Sequence, residues 1–163
     1  MALLDLGEIR IDPRQLARWA SGQLPREWHS RYPFLFDADD LRVADKQKTV
    51  HFFEWLAAVI LHHTTGFHAL VEKYEFVKSH ARKKRVIEQL LAPELLEPVC
   101  DGRKGAQCPD LLMFAPDLTD WFFCEVKGPT DRVRPTQQRV FDALAASSGK
   151  PIRLLRFSFL PPS

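Results

Sequence analysis

The apolar positions along this chain change period, and the change locates its elements. From about Leu41 to His63 they recur at helical spacing, so one helix is predicted there, opened by Asp39-Asp40 and closed by Thr64-Thr65-Gly66. Between Thr49 and Leu61 it carries a single formal charge, Glu54, set on the apolar stripe beside Val50, Phe53, Ala57 and Leu61. Further along, LLMF and WFFCEV are short apolar and aromatic runs separated by Ala-Pro-Asp-Leu-Thr-Asp, which predicts two strands joined as a hairpin. Alternation in the second strand puts Phe123, Glu125 and Lys127 on one face and Phe122, Cys124 and Val126 on the other.

The remaining elements follow from caps and breakers. Asp12-Pro13 starts a short helix through Gln15–Ala20 that stops at Ser21-Gly22, after which Pro25 and Pro33 predict irregular chain. Trp19, Trp28, Tyr32, Phe34 and Phe36 are expected to pack this stretch onto the body. Phe67–Val77 reads as a strand, with a helix as the alternative. His80–Leu91 reads as a helix with Val86, Ile87, Leu90 and Leu91 inward, followed by a turn of helix at Glu94–Leu96 and a polar loop, Asp101–Gly105. Thr136–Ala146 is a helix begun by Pro135 and stopped by Ser147-Ser148-Gly149. Ile152–Phe159 is a last strand. The order predicts an α/β fold, a mixed central sheet flanked by helices, with residues 1–38 as an N-terminal accessory arm on a domain of residues 39–163.

Composition changes this picture little. The chain has 163 residues, 45% hydrophobic and 27% charged, and a net charge of +2, which suits one globular domain and leaves nucleic acid neither favoured nor excluded. Charge distribution says more. From Lys127 to Arg156 the bases Lys127, Arg132, Arg134, Arg139, Lys150, Arg153 and Arg156 face only Asp131 and Asp142, and Arg82, Lys83, Lys84 and Arg85 form a second cluster that is commonly just a solvated helix face. Cys100, Cys108 and Cys124 form no CxxC pair, and His62, His63 and His68 lack ligand spacing, so neither a disulfide framework nor a zinc site is expected. The N-terminus has no basic start, and no apolar run approaches the ~20 residues of a membrane helix. A soluble, cytoplasmic protein with no membrane partner is expected.

The chemistry concentrates in the hairpin. Asp110 opens its first strand and Glu125 and Lys127 close its second, so two carboxylates and an ammonium can share one patch. Hard divalent cations take oxygen ligands and keep waters. Asp110, Glu125, Glu54 and the Val126 carbonyl could supply such a set, with Lys127 beside an attacking water or a phosphate. That combination suits phosphodiester hydrolysis; the bland alternative is surface charge at strand ends.

The run PDLLMF…WFFCEVKGPTDRVRPTQQRVFDAL resembles the VRR-NUC domain of the PD-(D/E)XK nuclease superfamily. The matching pieces are Pro109-Asp110, Glu125-Val126-Lys127-Gly128-Pro129, Asp131-Arg132 and Gln137. The resemblance is clearest from Gln107 to Phe157, and residues 1–45 have no counterpart in it. It departs at Ala106-Gln107-Cys108, where the family often has glycine. The resemblance implies a restriction-endonuclease-like core and a Mg2+- or Mn2+-dependent deoxyribonuclease linked to DNA repair or replication. Asp110, Glu125, Lys127 and Gln137 would be catalytic, with Gln137 contacting a water or phosphate. Glu54, Asp110, Glu125 and Val126 would hold metal. Arg132, Arg134, Arg139, Lys83, Lys84 and Arg85 would guide DNA, whether branched, flapped or single-stranded. A homodimer, and an immunity or repair partner protein, stay open. The alternatives are a nuclease toxin neutralised by an immunity protein and a non-catalytic DNA-binding module of the same fold.

Overall fold

The computed structural model describes residues 2–48, 50–71, 80–100 and 108–162. The predicted hairpin forms from β3 (Leu111–Phe114) and β4 (Trp121–Lys127), antiparallel, with Leu111 opposite Cys124 and Phe114 opposite Trp121. On one side β2 (His68–Leu70) adds antiparallel to β3; on the other β5 (Ile152–Phe159) adds parallel to β4. A parallel pair needs a crossover, and α7 (Pro135–Ser148) supplies it. β1 (Leu3–Ile11) closes the far edge, parallel to β5. The result is a mixed sheet of order β1-β5-β4-β3-β2.

Helices cover both faces, which is the α/β architecture expected. Phe122, Cys124 and Val126 look toward α4 (Phe52–Thr65), where Trp55, Ala57, Ala58 and Leu61 are buried. Phe123, Leu112 and Phe114 look the other way, onto α7 through Phe141 and Leu144 and onto α5 (Ala81–Leu90) through Val86 and Ile87. The alternation predicted for β4 is the one observed. Of the expected Phe67–Val77 strand, residues 68–70 are β2, and 72–79 lie outside the described residues, as does the polar loop 101–105. α6 (Pro93–Cys100) extends the expected short turn. Among the described residues no helix is long and apolar enough to cross a membrane.

Three expectations need correction. The helix predicted over 41–63 is two, α3 (Ala38–Lys46) and α4, separated by a bend in which His51 takes the left-handed conformation at φ 71°. Neither glycine nor proline marks that bend; the indole N–H of Trp19 donates to the Val50 carbonyl at 3.1 Å and holds it. Secondly, Pro25 does not keep its segment irregular: it sits in the first turn of α2 (Gln23–Arg31), where a missing N–H costs nothing. Thirdly, residues 3–11 form a strand where none was expected. Its partner lies at the opposite end of the chain, so nothing local signals it, and a register shift between Asp5 and Glu8 with Gly7 at φ 95° breaks its alternation. Residues 1–38 thus contribute an edge strand, α1 (Arg14–Ala20) and α2 to the body, and Trp19, Leu24, Tyr32, Leu35 and Phe36 are buried in the same core as α4.

Lys83 is also corrected. It cannot guide DNA, because it is 1% exposed: its Nζ donates to Asp40 Oδ1 at 2.7 Å and to the Val71 carbonyl at 2.6 Å, and Asp40 is 0% exposed. Asp40 also closes a capping box with Asp37 at the start of α3. Arg82 joins this network through the carbonyls of Phe34 and Ala69. Lys84 and Arg85 on the same helix are exposed. Burial, opposed by the Lys83 charge, pushes the Asp40 carboxyl up to about 7. A folded-state pKa raised above the unfolded value favours folding at low pH, and that contribution is lost as pH rises through about 7. Lys83→Met should therefore cost about 3–5 kcal/mol at pH 8, where Asp40 is left as an unpaired buried charge. Urea unfolding should show a smaller loss at pH 5, and Asp40→Asn/Lys83→Met should recover much of it.

Candidate active site at the open end of the β3–β4 pair

Strand β3 begins one residue after Asp110, and this short start exposes an edge of β4. Continuing the register one step sets Asp110 opposite Glu125. The Val126 N–H, with no β3 carbonyl to meet, donates instead to Asp110 Oδ2 at 2.8 Å. The N–H and carbonyl of a strand residue point to the same edge, so the Val126 carbonyl lies on the Asp110 side too.

Glu125 and Lys127 share the face of β4 that looks at α7. Lys127 Nζ lies 2.7 Å from Glu125 Oε1, with the two residues 5% and 1% exposed. Gln137 ties them together: its Nε2 donates to Glu125 Oε1 at 3.1 Å and its Oε1 accepts from Lys127 Nζ at 3.2 Å. Gln137 Oε1 also accepts the Arg134 N–H at 3.1 Å, one of the orphan donors at the start of α7. Pro135 at the first helical position sets the chain direction that places Gln137 in this first turn. These contacts engage Gln137 with the protein's own groups, whereas the expected contact was a water or phosphate. Sequence reasoning identified the residue but not its partners.

The electrostatics are strained. Burial, followed by the charges of Glu125 and Glu54, holds the Asp110 carboxyl well above the ordinary range, against the pull of the Val126 N–H and Lys127. Burial raises Glu125 too, with Lys127 opposing. Glu125 Oε2 is buried and receives no hydrogen bond. Two adjacent carboxyls, Glu125 buried and Asp110 half-buried, are relieved by a shared proton or a cation. Glu54 reaches this site from the opposite layer: it lies in the first turn of α4, half-buried, near enough to act on Asp110.

A divalent cation fits this donor set. The unsatisfied Glu125 Oε2, the Asp110 carboxyl and the Val126 carbonyl are hard oxygens at one place, which is what magnesium or manganese prefers. Among the described residues no three His, Cys, Asp or Glu side chains converge as a complete cage, so Glu54 stands back from the pair. The histidines are engaged elsewhere: His62 Nδ1 with the Phe67 carbonyl and His63 Nε2 with the Tyr32 hydroxyl, each at 2.8 Å. Neither Cys108 nor Cys124 is in a disulfide, and the latter is buried with its ionisation pushed up by burial. Arg132 and Arg134 are exposed in the turn between Lys127 and α7, and Arg139 is exposed on α7.

The model of the VRR-NUC domain family matches residues 55–156, well over half of the chain. No curated protein matches. Among solved structures, "Crystal structure of paFAN1 bound to 2nt 5'flap DNA with gap" is 18% identical, at a TM-score of 0.32, over 93% of this chain and 23% of that one. The chain thus spans less than a quarter of that protein's length.

Like-charge crowding predicts that Asp110→Asn stabilises the metal-free protein. Asparagine can still accept the Val126 N–H, but it removes a carboxyl whose raised folded-state pKa makes its contribution to stability fall as pH rises from the ordinary carboxylate range. Chemical unfolding at pH 8 should show a gain of about 0.5–2 kcal/mol that shrinks at pH 4.

Proposed function

The chain belongs to the VRR-NUC domain family, and from that membership we propose that it is a Mg2+- or Mn2+-dependent deoxyribonuclease that hydrolyses phosphodiester bonds in branched, flapped or single-stranded DNA during repair or replication. The observation that carries this reading is the cluster of half-buried Asp110 with buried Glu125 and Lys127, in which Glu125 Oε2 is left without a hydrogen bond. A fully structural ion pair would satisfy that oxygen; one that awaits a cation would not.

Asp110, Glu125 and the Val126 carbonyl would hold the cation, with Glu54 as an outer carboxylate. When bound, such an ion neutralises phosphate charge and lowers the pKa of a water. The other tasks fall to the chain itself. Lys127 offers an ammonium to the phosphate or the attacking water, in a buried setting where its charge is weakly screened. Gln137 is a positioning residue: by holding Glu125 Oε1 and Lys127 Nζ at once, it leaves Oε2 as the Glu125 oxygen that would be available to a cation. Val126 N–H orients Asp110. Arg132, Arg134 and Arg139 attract the DNA backbone, with exposed Lys84 and Arg85 as a further contact.

Purified protein with magnesium or manganese should cut at least one of flapped, junction, single-stranded or plasmid DNA, and no cutting by well-folded protein defeats the proposal. Asp110→Ala and Lys127→Ala should each lower the rate by about 100-fold or more without unfolding the protein. Gln137→Leu should lower it less, through loss of positioning. Arg132→Ala/Arg134→Ala should weaken DNA binding and flatten its salt dependence by about one to two units of slope.

A further inference from the structure

A cavity of about 220 Å3 opens beside the carboxylates, on the α4 side of β4. It is lined by Leu16 of α1, the bend Val50–His51, Phe52, Phe53 and Glu54 of α4, and Val126, Gly128 and Asp131. Three of these belong equally to the candidate active site, Val126 through its carbonyl and two through their carboxylates. Glu54 acts on Asp110, and Asp131 Oδ2 lies 3.7 Å from Lys127 Nζ.

The lining is divided. Leu16, Val50, Phe52 and Phe53 make an apolar wall, and Val50 is 46% exposed at its rim. The Phe53 ring packs over Gly128, where an added Cβ would come within 3.1 Å of it, and its centroid lies 5.6 Å from that of Phe157. Glu54 and Asp131 bring carboxylates to the other side. The wall is held in place before any ligand arrives, because Trp19 donates to the Val50 carbonyl and His51 Nε2 pairs with Gln47 Oε1 at 2.6 Å.

From this lining we infer that the cavity takes one unpaired nucleobase adjacent to the scissile phosphate, stacked on Phe53 with its exocyclic amino group directed to Asp131 or Glu54. This rests on the nuclease reading above. Charge selects the occupant. Glu54 and Asp131 give the cavity hydrogen-bond acceptors and, among the described residues, no lysine or arginine lines it, while the exposed arginines attract phosphates outside it. An aromatic wall facing acceptors suits a neutral, planar, donor-bearing ring. Size agrees: 220 Å3 gives room for a single base and not for a stacked base pair. A base inside a duplex cannot enter without leaving its stack, and that cost is least where the nucleotide is already unpaired. The pocket therefore assigns a preference for DNA with an unpaired nucleotide at the cleavage point. It also gives residues 1–38 a part in selecting substrate, through Leu16 and Trp19.

The test uses flapped DNA carrying 2-aminopurine at successive positions around the cleavage point, bound to the Asp110→Ala variant of the 163-residue chain so that it stays uncut. Emission should be quenched several-fold at one unpaired position and not in a fully paired duplex, and the quench should disappear in Asp110→Ala/Phe53→Leu. Leucine keeps apolar contact with Gly128 and removes the ring. In protein with Asp110 intact and magnesium present, Phe53→Leu should lower the ratio of kcat/KM for flapped over paired DNA by roughly tenfold. That ratio is internal to each protein, so a partly unfolded variant does not mimic it, and a thermal melt checks the fold. A wild-type protein that cuts flapped and paired DNA equally, or an unchanged ratio and quench in the leucine variants, overturns the pocket while leaving the nuclease intact. A wild-type protein that cuts no DNA removes both.

Discussion

A desolvated carboxyl set beside a buried one is unfavourable in any fold, and much of the arrangement around Asp110 and Glu125 offsets that cost. Strand β3 starts late enough to leave the Val126 N–H for Asp110. Lys127 returns along the same face of β4 to Glu125, and α7 begins where its first turn brings Gln137 against both. Each of these groups lowers the energy of ionised carboxyls, yet burial still dominates and both remain raised. The compensation is incomplete within the chain, and under the proposed nuclease reading a cation would complete it.

The incompleteness also explains why the site draws on three layers. Strand β4 supplies Glu125 and Lys127 and the residue just before β3 supplies Asp110; α7 on one face supplies Gln137, and α4 on the other supplies Glu54. A site at the middle of the sheet would be sealed by both helical layers. At the end of β4, where Gly128 lets Phe53 close in, the layers meet around an opening instead.

How much of this could be read from sequence depended on the range of the interaction involved. The hairpin, the two faces of β4 and the crossover helix follow from local period and punctuation, and all are present at nearly the expected bounds. Glu54 stood out as a lone charge on an apolar stripe, and its influence on Asp110 agrees with that signal. What failed was set by distant partners. Strand β1 exists because β5 offers it an edge. The bend at His51 is held by Trp19, thirty-odd positions earlier. The aromatic residues of the arm, by contrast, were correctly expected to pack, since five large rings close together have few other uses in a small domain.

Lys83 and Lys127 show where sequence reading stops and geometry begins. Both are buried lysines, and each lies 2.7 Å from a buried carboxylate. In the first pair the oxygens are used up: Asp40 Oδ1 takes Lys83 and Oδ2 takes the Asp37 N–H, while a second acceptor, the Val71 carbonyl, shares the ammonium. That network is closed, and it joins α3 to α5 and the end of β2. In the second pair Glu125 Oε1 takes both Lys127 and Gln137, and Oε2 takes nothing. A saturated buried ion pair has no capacity left for a ligand, so its role is to hold elements together. An unsaturated one retains a desolvated acceptor whose cost is recovered only when something binds. The basic run Arg82–Arg85 was the weaker candidate for contact with DNA, because a dense run of charge is commonly a solvated helix face. Saturation, which sequence does not encode, divides it, placing Lys83 in the interior and leaving Lys84 and Arg85 outside.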